Sequence, residues 1–275
     1  MRRLIAVTMF AVVLIVEGGS AALAGPIDLG TAGAFAVLGG SAVNNTGSSV
    51  IGGNLGLFPG TSTTGFPPGL VSGGAGATHV GDAVAQQAQR DLSTAYGAAA
   101  GLSCNVDLTG LNLGGMTLTA GTYCFASAAQ LTGMLTLDAG NDPSAQFVFQ
   151  IASTLTTASS SSVVFQHGGQ GGEVTWQVGS SATIGSSTQF AGNILALTNI
   201  TLNTTATINC GRALAERGAV TLDTNTVTLG ARGCPAFTAA TPTAVSEPGT
   251  AALLGSLLLA GGLMRRRRSV AQVGN

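Results

Sequence analysis

Thr183-Ile184-Gly185-Ser186, Thr201-Leu202-Asn203-Thr204 and Thr221-Leu222-Asp223-Thr224 decide how this chain folds. They share the pattern Thr-Leu/Ile-x-Thr/Ser and start 18 residues (183 to 201) and 20 residues (201 to 221) apart. An earlier copy is Thr154-Leu155-Thr156-Thr157. Each copy leads into a further small hydroxyl residue: Ser160, Thr188, Thr207 and Thr226. A fixed period of about 20 residues is the mark of a solenoid, whose coils stack and bury a shared core. Stacking sets equivalent side chains roughly 4.7–4.9 Å apart, and residues i and i+2 of one strand lie roughly 6.6–6.8 Å apart. Repeated hydroxyls on that grid form a flat, regular, uncharged lattice.

The composition agrees with a tightly wound all-β chain. Glycine supplies 42 of the 275 residues, and turns with positive φ need it. Only 8% of residues are charged and Lys is absent, so hydroxyls and amides must wet the surface instead of ions. Low charge points to a membrane protein or to a secreted or fibrous one. The middle of the chain has no apolar run long enough to span a bilayer, which favours the second class.

Both ends read as removable addresses. Residues 1–24 form a secretory signal: Arg2 and Arg3, the apolar stretch Leu4 to Val16, then Ala22-Leu23-Ala24 as an A-x-A cleavage site. At the other end Val245-Ser246-Glu247-Pro248-Gly249 leads into an apolar run and then Arg265-Arg266-Arg267-Arg268. This order resembles the PEP-CTERM sorting tail of Gram-negative bacteria, with Ser246 where Pro is usual. The resemblance implies cutting by an exosortase-type enzyme near Glu247-Pro248, only transient membrane contact, and release to the cell surface or exterior. A single-pass anchor held by its arginines is the alternative. Residues 236–246 read as a linker, residues 247–268 as the tail and residues 269–275 as a cytoplasmic end. The mature domain, residues 25–235, then carries Arg90, Arg212, Arg217 and Arg232 against a larger number of acids, so it has no basic stripe for nucleic acid.

Four cysteines in an exported chain imply two disulfides, for which three pairings exist. Proximity in sequence favours Cys104 with Cys124 and Cys210 with Cys234, separations of about one coil. A metal site would need C-x-x-C or paired His, which the sequence lacks.

One segment changes period. Val84, Ala88, Leu92, Ala95 and Ala99 follow spacings of four, four, three and four, which predicts a helix over residues 80–100. Asp82 stands near its start and Gly101 at its end. Elsewhere short apolar strand cores alternate with Gly, Asn and Ser, among them Leu111-Leu113, Leu131-Leu137, Phe147-Ile151, Val174-Val178 and Ile194-Leu197.

Several stretches of the mature chain resemble the DUF3494 type of bacterial and fungal ice-binding proteins. They include Phe35-Ala36-Val37-Leu38-Gly39, Gln130-Leu131-Thr132-Gly133, Phe147-Val148-Phe149-Gln150-Ile151 and Thr175-Trp176-Gln177-Val178-Gly179. Gly211-Arg212-Ala213-Leu214-Ala215 with Gly218-Ala219-Val220-Thr221-Leu222 extends the match. The resemblance implies a discontinuous right-handed β-solenoid of roughly triangular section with the helix packed alongside; a monomer is expected. It also implies a loose Thr-Ala/Gly-x-Thr/Asn pattern on the ice-facing sheet. The positions that carry it, or shorter versions of it, are Thr46, Ser49, Thr157, Ser160, Ser186, Thr188, Thr204, Thr207, Thr224 and Thr226. The partner expected is an ice surface, with no catalysis, metal or cofactor.

Two other function classes are weighed against this. Solenoid polysaccharide hydrolases and lyases need clustered carboxylates, but Asp107, Asp138, Asp142, Glu173 and Asp223 fall at unrelated phases of the repeat. His79 and His167 lack a catalytic neighbour, the Gly-rich stretch from His167 to Glu173 reads as a tight turn, and Trp176 reads as a core plug. A cell-surface adhesin or matrix component is the alternative that the sorting tail supports.

Overall fold

The computed structural model describes residues 27–72, 76–168 and 174–230. The segments expected as leader, linker and sorting tail, together with Cys234 and residues 169–173, lie outside these residues.

The short strands run parallel to their neighbours and form two sheets, one of seven strands and one of fifteen. Each full coil contributes one strand to the smaller sheet and two to the larger, which therefore covers two sides of the stack. The two sides of the larger sheet are joined through the long strands Gln189–Ala196 and Thr207–Ala215. Their register shifts between Ala191 and Gly192, where the chain bends from one side to the next. Gly192 (φ 103°) and Cys210 (φ 57°) stand at that bend in the left-handed region, which favours an extra-residue bulge.

Stacking does not follow chain order. Strand Phe35–Gly39 pairs with Thr207–Ala215, Ala42–Thr46 with Val220–Asp223, and Val50–Gly52 with Thr226–Thr228. The N-terminal coil thus stacks directly on the C-terminal one, and a second N-terminal coil lies beyond it. Helix Ala83–Ala100 then lies against the strands of the fifteen-stranded sheet, and the chain resumes at Val106–Asp107 at the opposite end of the stack. A discontinuous solenoid is therefore present.

The helix begins where the sequence indicates. Asp82 is its N-cap and accepts a hydrogen bond from the Ala85 N–H at 2.8 Å. That bond, followed by the His79 contact, holds the Asp82 carboxyl below the usual carboxylate range. Gly101 caps the other end with φ −85°, so its left-handed freedom goes unused. The buried stripe is Ala85, Ala88, Gln89, Leu92, Ala95 and Ala99; Val84, expected on that stripe, is exposed. Leu92, Ala88 and Ala95 pack among Phe35, Leu38, Leu195 and Leu214, outward residues of strands that would otherwise face water. Gln89 donates to Gly39 O and Ala215 O, and Gln150 donates to Ala99 O and Leu102 O, so amides stitch helix to sheet. On the same side Arg212 donates to Gly33 O and Asn193 Oδ1, and burial pushes its guanidinium pKa down.

Inside the coils an aromatic column runs along the stack axis. Tyr123 and Phe149 lie 5.5 Å apart, Phe149 and Trp176 3.9 Å, and Trp176 and Phe190 5.0 Å. Trp176 is fully buried and donates its indole N–H to Ala191 O at 3.0 Å, as a core plug should. Cys104 and Cys124 are bridged, tying the segment after the helix to strand Gly121–Phe125. A closed loop of this length contributes about 3 kcal/mol. Cys210 is also disulfide-bonded. Its expected partner Cys234 lies outside the described residues. Leu111-Leu113 is not a strand: Asn112 makes a single bridge to Gln130, and Leu111 is exposed.

Candidate functional site

The seven-stranded sheet runs, in spatial order, through Ala129–Leu131, Leu155–Thr157, Ala182–Ile184, Ile200–Leu202, Val220–Asp223, Ala42–Thr46 and Ser62–Thr64. Alternation along each strand sends Leu155, Ile184, Leu202 and Leu222 into the core and the residue beside each of them outward. Those outward residues are Gln130, Thr156, Thr183, Thr201, Thr221, Asn44 and Thr64. Each pairs with the next in register, so they form one unbroken column with four threonines in succession. All seven are exposed or half-buried, and among the described residues no helix or loop covers them as the helix covers the strands of the larger sheet. Thr183, Thr201 and Thr221 open the three tetrads, and the spacing read from sequence is the register found. The fourth copy is out of phase by two residues: Thr156, and not Thr154, pairs with Thr183.

Where this sheet meets the next, the chain turns through a left-handed residue at the same place in five coils. Ser160, Ser187, Thr205 and Thr224 have φ of 57°, 57°, 60° and 55°, and Gly47 has 76°. Positive φ is unfavourable for a β-branched residue such as Thr. Backbone bonds along the corner offset that cost: Ser187 N–H to Thr204 O, Thr205 N–H to Asp223 O and Thr224 N–H to Thr46 O, at 2.8–3.1 Å.

This corner redistributes the ten positions expected to make one face. Ser49, Thr157 and Thr188 are 0%, 4% and 0% exposed, which removes them from any contact surface. Thr157 and Thr188 share a hydroxyl contact at 3.2 Å, Thr157 Oγ1 accepts from Gly185 N–H, and Ser49 Oγ accepts from Asn225 N–H. Backbone groups buried at a bend need partners, and these hydroxyls provide them. Thr46, Ser160, Ser186, Thr204 and Thr224 lie along the corner, exposed or half-buried. Thr207 and Thr226 pair with each other around the bend, on the larger sheet. Thr204, Thr207, Thr224 and Thr226 therefore do not share one face. The column that contains Thr207 and Thr226 is chemically mixed, since it also holds Gln189, Val50 and exposed Leu70.

Among the described residues, the acids weighed for cleft chemistry serve local turns. Asp107, Asp138 and Asp142 accept hydrogen bonds from the N–H two residues on, at Thr109, Gly140 and Ser144. The Thr109 and Ser144 hydroxyls, and then these N–H bonds, hold Asp107 and Asp142 below the usual carboxylate range; for Asp138 the Gly140 N–H leads, followed by the His167 contact. All three aspartates are turn residues. His79 and His167 each pair with one Asp at 2.8 Å. Among the described residues no three metal-ligating side chains converge.

An exposed parallel sheet bearing a threonine column, built on a solenoid with a flanking helix, defines a protein that acts through a surface. The chain belongs to the ice-binding-like family, whose model matches residues 37–228. It is 56% identical over 232 residues to the ice-binding protein of Nostoc sp. (strain HG1), covering 84% of this chain and 83% of that one. An ice-binding protein from an Antarctic biological consortium has a solved structure that is similar at a TM-score of 0.72 and 48% identity, over 75% of this chain and 92% of that one. The ice-binding protein of the Antarctic ascomycete Antarctomyces psychrotrophicus matches at a TM-score of 0.71 and 44% identity, over 76% of this chain and all of that one.

Proposed function

We propose that this protein adsorbs to ice through the open face of its seven-stranded sheet and so inhibits crystal growth and recrystallisation. The observation that carries the proposal is the in-register column Thr156, Thr183, Thr201 and Thr221, extended by Asn44, Thr64 and Gln130. Thr combines a methyl that discourages disordered hydration with a hydroxyl that holds a water in place. Spacing between coils is fixed by backbone hydrogen bonds, so the array is rigid before it meets the crystal. The similarity to ice-binding proteins from a cyanobacterium and an Antarctic ascomycete supports the same reading. Adsorption requires no bond making, so no enzyme activity is proposed. Thr46, Ser160, Ser186, Thr204 and Thr224 form the rim of this surface. Right-handed coils of triangular section, a monomeric state, secretion and exosortase cutting of the tail complete the proposal; the family resemblance supports the first, and the leader-like and tail-like motifs support the last two.

The test uses the mature domain in recrystallisation and thermal-hysteresis assays. Faceted crystals and suppressed coarsening are expected. Round crystals and ordinary coarsening from folded protein would defeat the proposal.

A further inference from the structure

Asp223 is the charged residue among the outward positions of the seven-stranded sheet, and a charge is the group least expected on a surface that must match ice. It sits beside the threonine column, two residues after Thr221, where the sheet turns into the corner. Its carboxylate is not free in solvent. Oδ2 accepts the Thr204 hydroxyl of the preceding coil, and Oδ1 accepts the Thr224 hydroxyl of its own coil at 3.2 Å. The backbone around it is equally fixed. Asp223 N–H donates to Asn225 Oδ1 at 2.6 Å, Asp223 O accepts from Thr205 N–H at 3.1 Å, and Thr224 N–H donates to Thr46 O at 2.8 Å. Asn225 in turn donates to Asn203 O and Ala206 O.

Resting on the ice-binding reading, we infer that Asp223 is a positioning residue that orders the hydroxyl rim of the binding surface. A carboxylate only accepts hydrogen bonds, whereas a neighbouring hydroxyl can donate or accept. Placed between two hydroxyls, Asp223 makes both Thr204 and Thr224 donors toward itself. Their rotamers are thereby set, and their lone pairs are left facing outward with one sense of proton order across two coils. Charge-assisted hydrogen bonds are about twice as strong as neutral ones, so this order persists on a wet surface. An amide in the same place would present one donor and one acceptor side. It would satisfy one hydroxyl as before and reverse the other, sending that proton outward. The charge thus serves the surface by being consumed within it.

The experiment compares wild type with Asp223→Asn, Asp223→Ala, Thr204→Val and the double variant Asp223→Asn/Thr204→Val. Thermal hysteresis and melting temperature are measured on each. Asp223→Ala and Asp223→Asn are expected to lose about threefold or more of the hysteresis at equal concentration, the scale of one ordered polar contact. The double variant is expected to lose little more than Asp223→Asn alone, since both act on one network. A simple structural role would move melting temperature and hysteresis together; here Asp223→Asn keeps the wild-type melting temperature. Hysteresis in a folded Asp223→Asn variant equal to or above that of active wild type overturns the inference, as does simple additivity in the double variant. Should Asp223→Ala fail to fold, Asp223→Asn and Thr204→Val still decide. An inactive wild type would overturn the ice-binding reading itself, and with it this inference.

Discussion

The same coils present two opposite solutions to an outward-facing strand. On the helix side the outward residues include Leu38, Leu195 and Leu214, which bury against Leu92, Ala88 and Ala95. On the open side the same coils put Asn44, Thr201 and Thr221 outward, with nothing among the described residues packed over them. Both surfaces rest on parallel ladders of one spacing, so backbone geometry does not separate them. Chemistry does: apolar side chains require a cover, while Thr and Asn are stable against water. A face that could have been covered and was left bare in seven consecutive strands is the one available to an external partner.

The sharpest way to break this comparison is to raise a step on the open face. Thr201→Tyr should abolish nearly all thermal hysteresis while changing stability by less than about 0.5 kcal/mol, as for an ordinary surface substitution. Thr207→Tyr, around the corner on the mixed column, should keep most of it. Equal losses in both variants would show that the bend does not bound the surface, and full activity in Thr201→Tyr would place the contact elsewhere. Next in size is the shared core. Trp176→Ala removes the centre of the aromatic column and should cost about 3–5 kcal/mol in denaturant unfolding. On the covered side Leu92→Ala should cost about 2–5 kcal/mol while hysteresis per folded molecule stays unchanged. A specific loss of activity in folded Leu92→Ala would show the two sides to be coupled.

The smallest effect expected is acid sensitivity on the covered side. Asp82 is held below the usual carboxylate range by the Ala85 N–H and then by His79, and Asp91 by the Thr31 hydroxyl and N–H. A carboxyl whose folded pKa is depressed binds its proton more weakly in the folded chain than in the unfolded one. Its contribution is therefore complete above the unfolded value and lost as pH falls through the lowered folded value. Melting temperature should hold between about pH 7 and 5 and decline below about pH 4. Asp82→Asn, which keeps a capping oxygen but loses the charge, should flatten part of that decline.

Much of this was legible in the chain. The tetrads at Thr183, Thr201 and Thr221 gave the coil register, because a parallel stack leaves little freedom in the length of a tight coil. Three- and four-residue spacing located the helix to within a few residues, and its stripe erred at Val84 because the docked side is centred on Ala88 and Leu92. The Cys104–Cys124 bridge followed from nearness in sequence. Which hydroxyls near the bend face outward was not legible. Counting onward from Thr157 to Ser160, or from Thr204 to Thr207, crosses a left-handed corner that no residue type announces, since Ser, Thr and Gly all occupy it.

The sequence by itself determined the solenoid, its period and the helix, because these are local or repeat at fixed intervals. Only the tertiary structure decided which hydroxyls face water. Ser49, Thr157 and Thr188 are the same residue types as Thr156, Thr183 and Thr221, but the corner turns them inward to satisfy buried backbone groups. The resemblance to a known family implied a discontinuous solenoid, and pairing of Val37 with Ala213 and Val50 with Thr226 set where the N-terminal coil enters the stack. Contacts between residues so far apart depend on how complete coils fit against each other, and a pattern read along one strand carries no information about that fit.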